Sequence, residues 1–192
     1  MSSQKFRLNY PNIPILAVGF TRSNSFIGGA IRFIRGGFKA VGDKSFCNHA
    51  FLVTIDHNQK FATEETPQGL MELSLEQYVK SSNRIVAMYY WNGWDIDGKQ
   101  EAAMTYLAEV RRRMMESSRY DFIGLLKFVP VLRRFVKFDK KRQFCSENCA
   151  SVLKKFGASF IDKTELAPDQ LLKIMQDNCL DSTECVLGYY LS

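Results

Sequence analysis

Two residues with complementary chemistry lie far apart in this chain, a histidine in an apolar strand-like run and a cysteine at the opening of a helix-like one. Cys145, Cys149, Val152, Leu153 and Phe156 recur at the spacing of one helical face, and Gly157 then offers a left-handed stop. That pattern predicts Cys145 in the first turn, where backbone N–H groups lack intrahelical partners and the helix dipole is positive. A thiol there ionises more readily than a free one, and the thiolate is the nucleophile. The plain alternative is a buried cysteine used as a small apolar side chain.

His49 belongs to Asn48-His49-Ala50-Phe51-Leu52-Val53-Thr54-Ile55, a run of strand-forming residues. The period of two puts His49, Phe51 and Val53 on one face, so the imidazole projects beside core side chains and needs polar partners. The next strand, Lys60-Phe61-Ala62-Thr63-Glu64, follows across Asp56-His57-Asn58-Gln59. Glu64 could therefore approach the far nitrogen of His49, fixing its tautomer and stabilising an imidazolium. A hydrogen-bonded structural histidine is the competing reading, and His57 reads as a solvated turn residue. One cysteine and one histidine, widely separated in sequence, form the pattern that a papain-like site leaves.

Three stretches resemble the circularly permuted NlpC-type papain-fold hydrolases, the YiiX-like group, which has poxviral members and is related to the lecithin:retinol acyltransferase-like proteins. They are His49 with the strand it opens, Glu64-Glu65-Thr66-Pro67-Gln68-Gly69-Leu70 with Leu73-Ser74-Leu75-Glu76-Gln77-Tyr78 behind it, and Phe144-Cys145-Ser146-Glu147 preceded by Tyr120-Asp121-Phe122. The resemblance spans roughly residues 15 to 160. It implies Cys145 as nucleophile, His49 as base and Glu64 as the residue orienting the histidine. Glu65 is the second candidate for that third role, and Tyr120 would add a hydrogen bond in the site. Two positions depart from the family pattern: Val18-Gly19-Phe20, where an acidic residue often follows the glycine, and Asn148, where a branched or aromatic residue is expected. The implied activity is hydrolysis of a peptide, isopeptide or cell-wall peptide amide, or acyl transfer to or from a lipid on the same fold. The implied fold is α+β, an antiparallel sheet packed against helices in a papain-like arrangement.

With 192 residues and 46% hydrophobic content, the chain reads as one domain, residues 1–192, with enough length for a sizeable core. No stretch approaches the roughly 18 consecutive apolar residues of a membrane span. The N-terminal Met1-Ser2-Ser3-Gln4-Lys5-Phe6-Arg7 lacks a secretory pattern, so the expected location is cytoplasmic. Five cysteines at ordinary density argue for free thiols in a reducing compartment, although Cys179 and Cys185 are near enough in sequence to pair. No cofactor is expected.

The net charge of +6 gathers at Arg32, Arg35 and Lys39, and at Arg133, Arg134, Lys137, Lys140, Lys141 and Arg142. Leu132, Phe135, Val136 and Phe138 interleave the second group, which reads as a solvated face or as a segment docking on an anionic membrane. Nucleic acid ranks last, because no recognised nucleic-acid module accompanies the patch. Arg111-Arg112-Arg113 fans over different faces of a helix and reads as surface. Two further classes compete with a hydrolase. Cys47 and His49 share a strand face while Cys145 and Cys149 share a helix face, so these four could converge on zinc. A catalytically inactive binding domain would leave Cys145 no more reactive than the other thiols.

The elements that must position the site alternate along the chain. Strands are predicted at Ile13 to Phe20, around His49 and Glu64 as a hairpin, at Arg84 to Tyr90 and at Val186 to Leu191. Helices are predicted at Phe26 to Lys39, Ser74 to Lys80, Lys99 to Glu116, Asp121 to Phe128, from Cys145 to Gly157, and from Pro168 to Met175.

Overall fold

The computed structural model describes residues 15–22, 46–56, 59–66, 69–80, 84–91 and 145–183, with Gly29, Gly93, Thr105, Ala108 and Arg112 as isolated positions. Among the described residues, six antiparallel strands and three helices make an α+β fold. The strands are β1 (Ile15–Arg22), β2 (His49–Asp56), β3 (Gln59–Thr66), β4 (Gly69–Ser74), β5 (Arg84–Tyr90) and β6 (Leu180–Asp181). The helices are α1 (Leu75–Lys80), α2 (Cys145–Lys155) and α3 (Pro168–Asn178). The sheet order is β4-β3-β2-β1-β5-β6.

Both faces of the central strands are buried, which explains why β2 reads as a nearly continuous apolar run. Phe51 and Val53 pack with Ala17, Ala62, Met88 and the α1 residues Leu75 and Tyr78. Ala50 and Leu52 project the other way, into a larger cluster with Val18, Phe20, the α2 residues Cys149, Val152 and Leu153, and Leu171 and Met175 of α3. The alternation of β2 thus assigns neighbouring residues to two different cores. Phe51 lies directly across from Gly19 in the β1–β2 register. A Cβ at Gly19 would come within 2.1 Å of the Phe51 ring, so the glycine is what lets that ring lie flat on β1.

Local chemistry sets the helix ends. Ser74 Oγ accepts from the backbone N–H of Gln77 at 3.2 Å and caps α1. α2 ends in a Schellman turn: Gly157 has φ 87°, its N–H donates to the Lys154 carbonyl, and Ala158 N–H donates to that of Leu153, both at 3.0 Å. Pro168 sits in the first turn of α3, and Gln170 Oε1 accepts from Ala167 N–H at 3.0 Å.

The hairpin, α1, β5 and the cysteine helix fall where the sequence predicts them, with β5 matching residue for residue. β1 runs on to Arg22, two residues past its expected end, and α3 continues past Met175 to Asn178. β4 was not expected: with Thr66 paired to Gly69, the family-like segment after Glu64 turns straight back as a sheet strand. β6 was also unforeseen. It extends the edge beside β5, pairing Tyr89 with Asp181 and Tyr90 with Leu180. The predicted elements at 26–39, 99–116, 121–128 and 186–191 lie outside the described residues, apart from the isolated positions. No helix among the described residues is long and apolar enough to cross a membrane.

Candidate active site

The three sequence-predicted residues meet where elements begin or end. His49 is the first residue of β2 and Cys145 the first of α2, while Glu64 lies two residues before the end of β3. The β2–β3 ladder stops at Leu52 opposite Thr63. Beyond that point β2 stays paired with β1, and β3 with β4. Across this unladdered end, His49 Nε2 donates to Glu64 Oε2. The two side chains are only 15% and 11% exposed, so their interaction is poorly screened by water.

Cys145, 2% exposed, meets the same imidazole from α2 through a side-chain hydrogen bond. Backbone N–H groups of Ala50 and Ser146 also donate to the thiol sulfur. The helix start is itself fixed, because Ser146 Oγ donates to the Leu166 carbonyl at 2.6 Å, tying α2 to the segment that leads into α3.

The charges follow from these contacts. Burial alone would raise the Cys145 thiol, but the adjacent imidazolium, its hydrogen bond and the two backbone donors outweigh it and lower the pKa. Burial alone would lower His49, yet the thiolate charge and hydrogen bond, followed by the Glu64 carboxylate, hold it well above the usual imidazole value. Glu64 is pushed up by burial and then pulled below the ordinary carboxylate value, chiefly by His49 and further by the Tyr78 hydroxyl. The arrangement sets the Cys145 thiol and the Glu64 carboxylate about one imidazole, each of the three groups shifted toward its charged form by the others.

Of the two adjacent carboxylates, Glu64 is the one that meets His49; Glu65 lies opposite Leu70 in the β3–β4 ladder. Tyr120, His57 and the basic stretch Arg133, Arg134, Lys137, Lys140 and Lys141 lie outside the described residues. The zinc alternative is not supported by the geometry. Cys47, His49, Cys145 and Cys149 are all described, and among the described residues no three His, Cys, Asp or Glu side chains group as metal ligands. Cys149, one turn along α2, packs in the apolar cluster with Ala50 and Leu52. Cys47, Cys145, Cys149 and Cys179 are free thiols.

Tyr78 is the residue that sequence reasoning missed. Its hydroxyl donates to Glu64 Oε2 at 2.8 Å. The available signal was its spacing of three from Leu75 on a short helix, which marks a core position equally well for a residue that only packs. No protein-family model matches the chain, and comparison with curated proteins likewise finds no match.

Proposed function

We propose that the chain is a papain-like cysteine hydrolase of the permuted NlpC type, cleaving an amide bond through Cys145, His49 and Glu64. The observation that carries this reading is a single imidazole held by Glu64 on one nitrogen and hydrogen-bonded to the Cys145 thiol. That is the base–orienter–nucleophile geometry of acyl-transfer chemistry.

In this reading the proton of Cys145 resides on His49 in the resting enzyme. The thiolate attacks the amide carbonyl carbon, and the carbonyl oxygen takes the negative charge. Backbone N–H groups at the start of α2 hold that oxygen, favoured by the positive end of the helix dipole. His49 gives its proton to the departing amine as the C–N bond breaks, leaving a thioester on Cys145. Water then attacks the thioester carbonyl with His49 taking its proton, releasing the acid and restoring the thiolate beside a protonated His49; an amine in place of water would make the same site an acyltransferase. Glu64 stabilises the imidazolium and keeps the ring from turning.

Brief iodoacetamide treatment at pH 6 followed by mass mapping tests the reading. Cys145 should be alkylated before Cys47, Cys149, Cys179 and Cys185, and a panel of acyl electrophiles should label it alone. Equal labelling of the accessible thiols would remove the nucleophile and with it the proposed activity.

A further inference from the structure

Behind the carboxylate stands a second donor that the proposed chemistry does not itself require. Tyr78 comes from α1, is 1% exposed, and lies against Phe51 with ring centroids 4.6 Å apart. Its hydroxyl reaches the very oxygen that accepts from His49, Glu64 Oε2. Ser74, which caps α1, and Leu75, buried one turn before Tyr78, fix the helix that delivers the phenol. A buried carboxylate oxygen with one donor can swing about its terminal torsion, which is broad and roughly twofold. Two donors from different elements on one oxygen remove that freedom.

We propose that Tyr78 is a positioning residue for the cysteine–histidine pair, its hydroxyl holding the Glu64 carboxylate in the orientation that seats His49 against Cys145. This inference rests on the proposed role of Cys145 and His49 and adds a fourth member, giving a relay that crosses the sheet from α2 through β2 and β3 to α1. The ionisable groups facing the carboxylate and the imidazole are Tyr78 from α1, His49 from β2 and Cys145 from α2, with the neutral Thr21 hydroxyl of β1 beside the phenol. Cys47, next along, stays protonated because burial and then the nearby Asp169 and Cys145 push its thiol up. The phenol likewise stays protonated and therefore stays a donor, since burial and then the Glu64 charge raise it well above its ordinary value.

The direction of the effect follows. Without the hydroxyl, the carboxylate loses a hydrogen bond to its charged form, the imidazolium loses part of its support, and the thiolate forms at higher pH. The decisive measurement is the pH profile of Cys145 alkylation in the full chain, with thermal unfolding as a control. Tyr78→Phe keeps the ring on Phe51 and deletes only the oxygen. The expected result is a native-like unfolding transition, an acid limb moved to higher pH, and a three- to tenfold slower reaction below pH 6. A Tyr78→Phe profile superimposing on the wild type, while that of Glu64→Gln moves, would overturn the proposal and reduce Tyr78 to packing. Should Tyr78→Phe fail to fold, 3,5-difluorotyrosine placed at position 78 decides. It is a stronger donor of the same shape, so the limb should move to lower pH, and an unmoved limb overturns the proposal. Wild-type Cys145 alkylating no faster than the other thiols would instead remove the underlying reading, a separate outcome visible before any variant is made.

Discussion

Cys47 and Cys145 are equally hidden from solvent, at 1% and 2% exposure, and lie close enough to feel each other's charge. Their acidities nevertheless diverge. The Cys47 thiol is driven far up by burial and then by Asp169 and Cys145, whereas Cys145 is lowered despite the same burial. Cys179, half-buried and with burial as the cause, is pushed up to about 12. Burial is thus the shared background, and the contrast is made by what meets each sulfur. Cys145 has an imidazole, a carboxylate one step behind it, and two backbone donors; Cys47 has an apolar cluster and a nearby acid. A thiol becomes more acidic here through its neighbours and against the pull of its depth.

The sharpest way to break the contrast is His49→Ala, which should make Cys145 behave like Cys47. Alkylation of Cys145 at pH 6 is expected to fall by roughly a hundredfold or more, the scale of the loss in thiolate fraction when a thiol loses its imidazole partner. Retained fast labelling would assign the acidity to the Ala50 and Ser146 donors alone.

Glu64→Gln should slow the same reaction less, by about tenfold, because orienting a base matters less than having one. It also carries a stability signature. The folded pKa of Glu64 is lowered, so its contribution is present above the unfolded carboxyl value of about 4.3 and is lost as pH falls through the folded value. His49 is raised, so its contribution is complete below about 6.5 and fades as pH climbs through the higher folded value. Urea unfolding at pH 6 should therefore show wild type ahead of Glu64→Gln by about 3 kcal/mol, the scale for removing one partner of a buried pair. The gap should close below about pH 4. A constant gap across that range would mean the substitution acts through packing.

Gly19→Ala perturbs the surroundings of Cys145 without touching a polar atom. The new methyl meets the Phe51 ring, which must shift, and Phe51 is what Tyr78 leans on. About 2 kcal/mol of stability should be lost, as for other overpacked cores, together with a several-fold loss in Cys145 reactivity. Loss of stability with unchanged reactivity would uncouple the aromatic stack from the carboxylate. The smallest effect is expected from Cys47→Ala, which should leave the Cys145 alkylation profile within twofold of wild type and lower stability by about 1 kcal/mol. A clear shift of the profile would show that the two thiols titrate together.

The parts of this architecture legible in the sequence are those written in local pattern. The alternation of β2, the apolar face from Cys145 to Phe156 and the glycine at 157 each specify an element on their own, and the observed bounds follow them. Glu64 could be placed near His49 because a short hairpin brings the end of β3 beside the start of β2. β4 was not legible, since Gly69-Leu70-Met71-Glu72 has neither a clean alternation nor a long apolar run, and only its pairing with β3 makes it a strand. Tyr78 was not legible for a related reason: that its hydroxyl, on α1, meets a carboxylate on β3 is a tertiary fact. The stop of the β2–β3 ladder at Leu52, which lets His49 reach Glu64 diagonally, has no sequence mark at all.

The assembly of the site from the start of β2, the end of β3 and the start of α2 has a kinetic meaning. The docking of α2 on β2 joins segments far apart in sequence, and such contacts form late because loop closure must precede them. While the chain is incomplete, or during any excursion to the unfolded state, Cys145 is an ordinary thiol with a pKa of about 8.5. It gains its acidity only when β2 and β3 are paired and α2 has docked. The acidity of Cys145 is therefore a built-in reporter of completed folding, and a chain whose α2 has not yet docked carries only an ordinary thiol there.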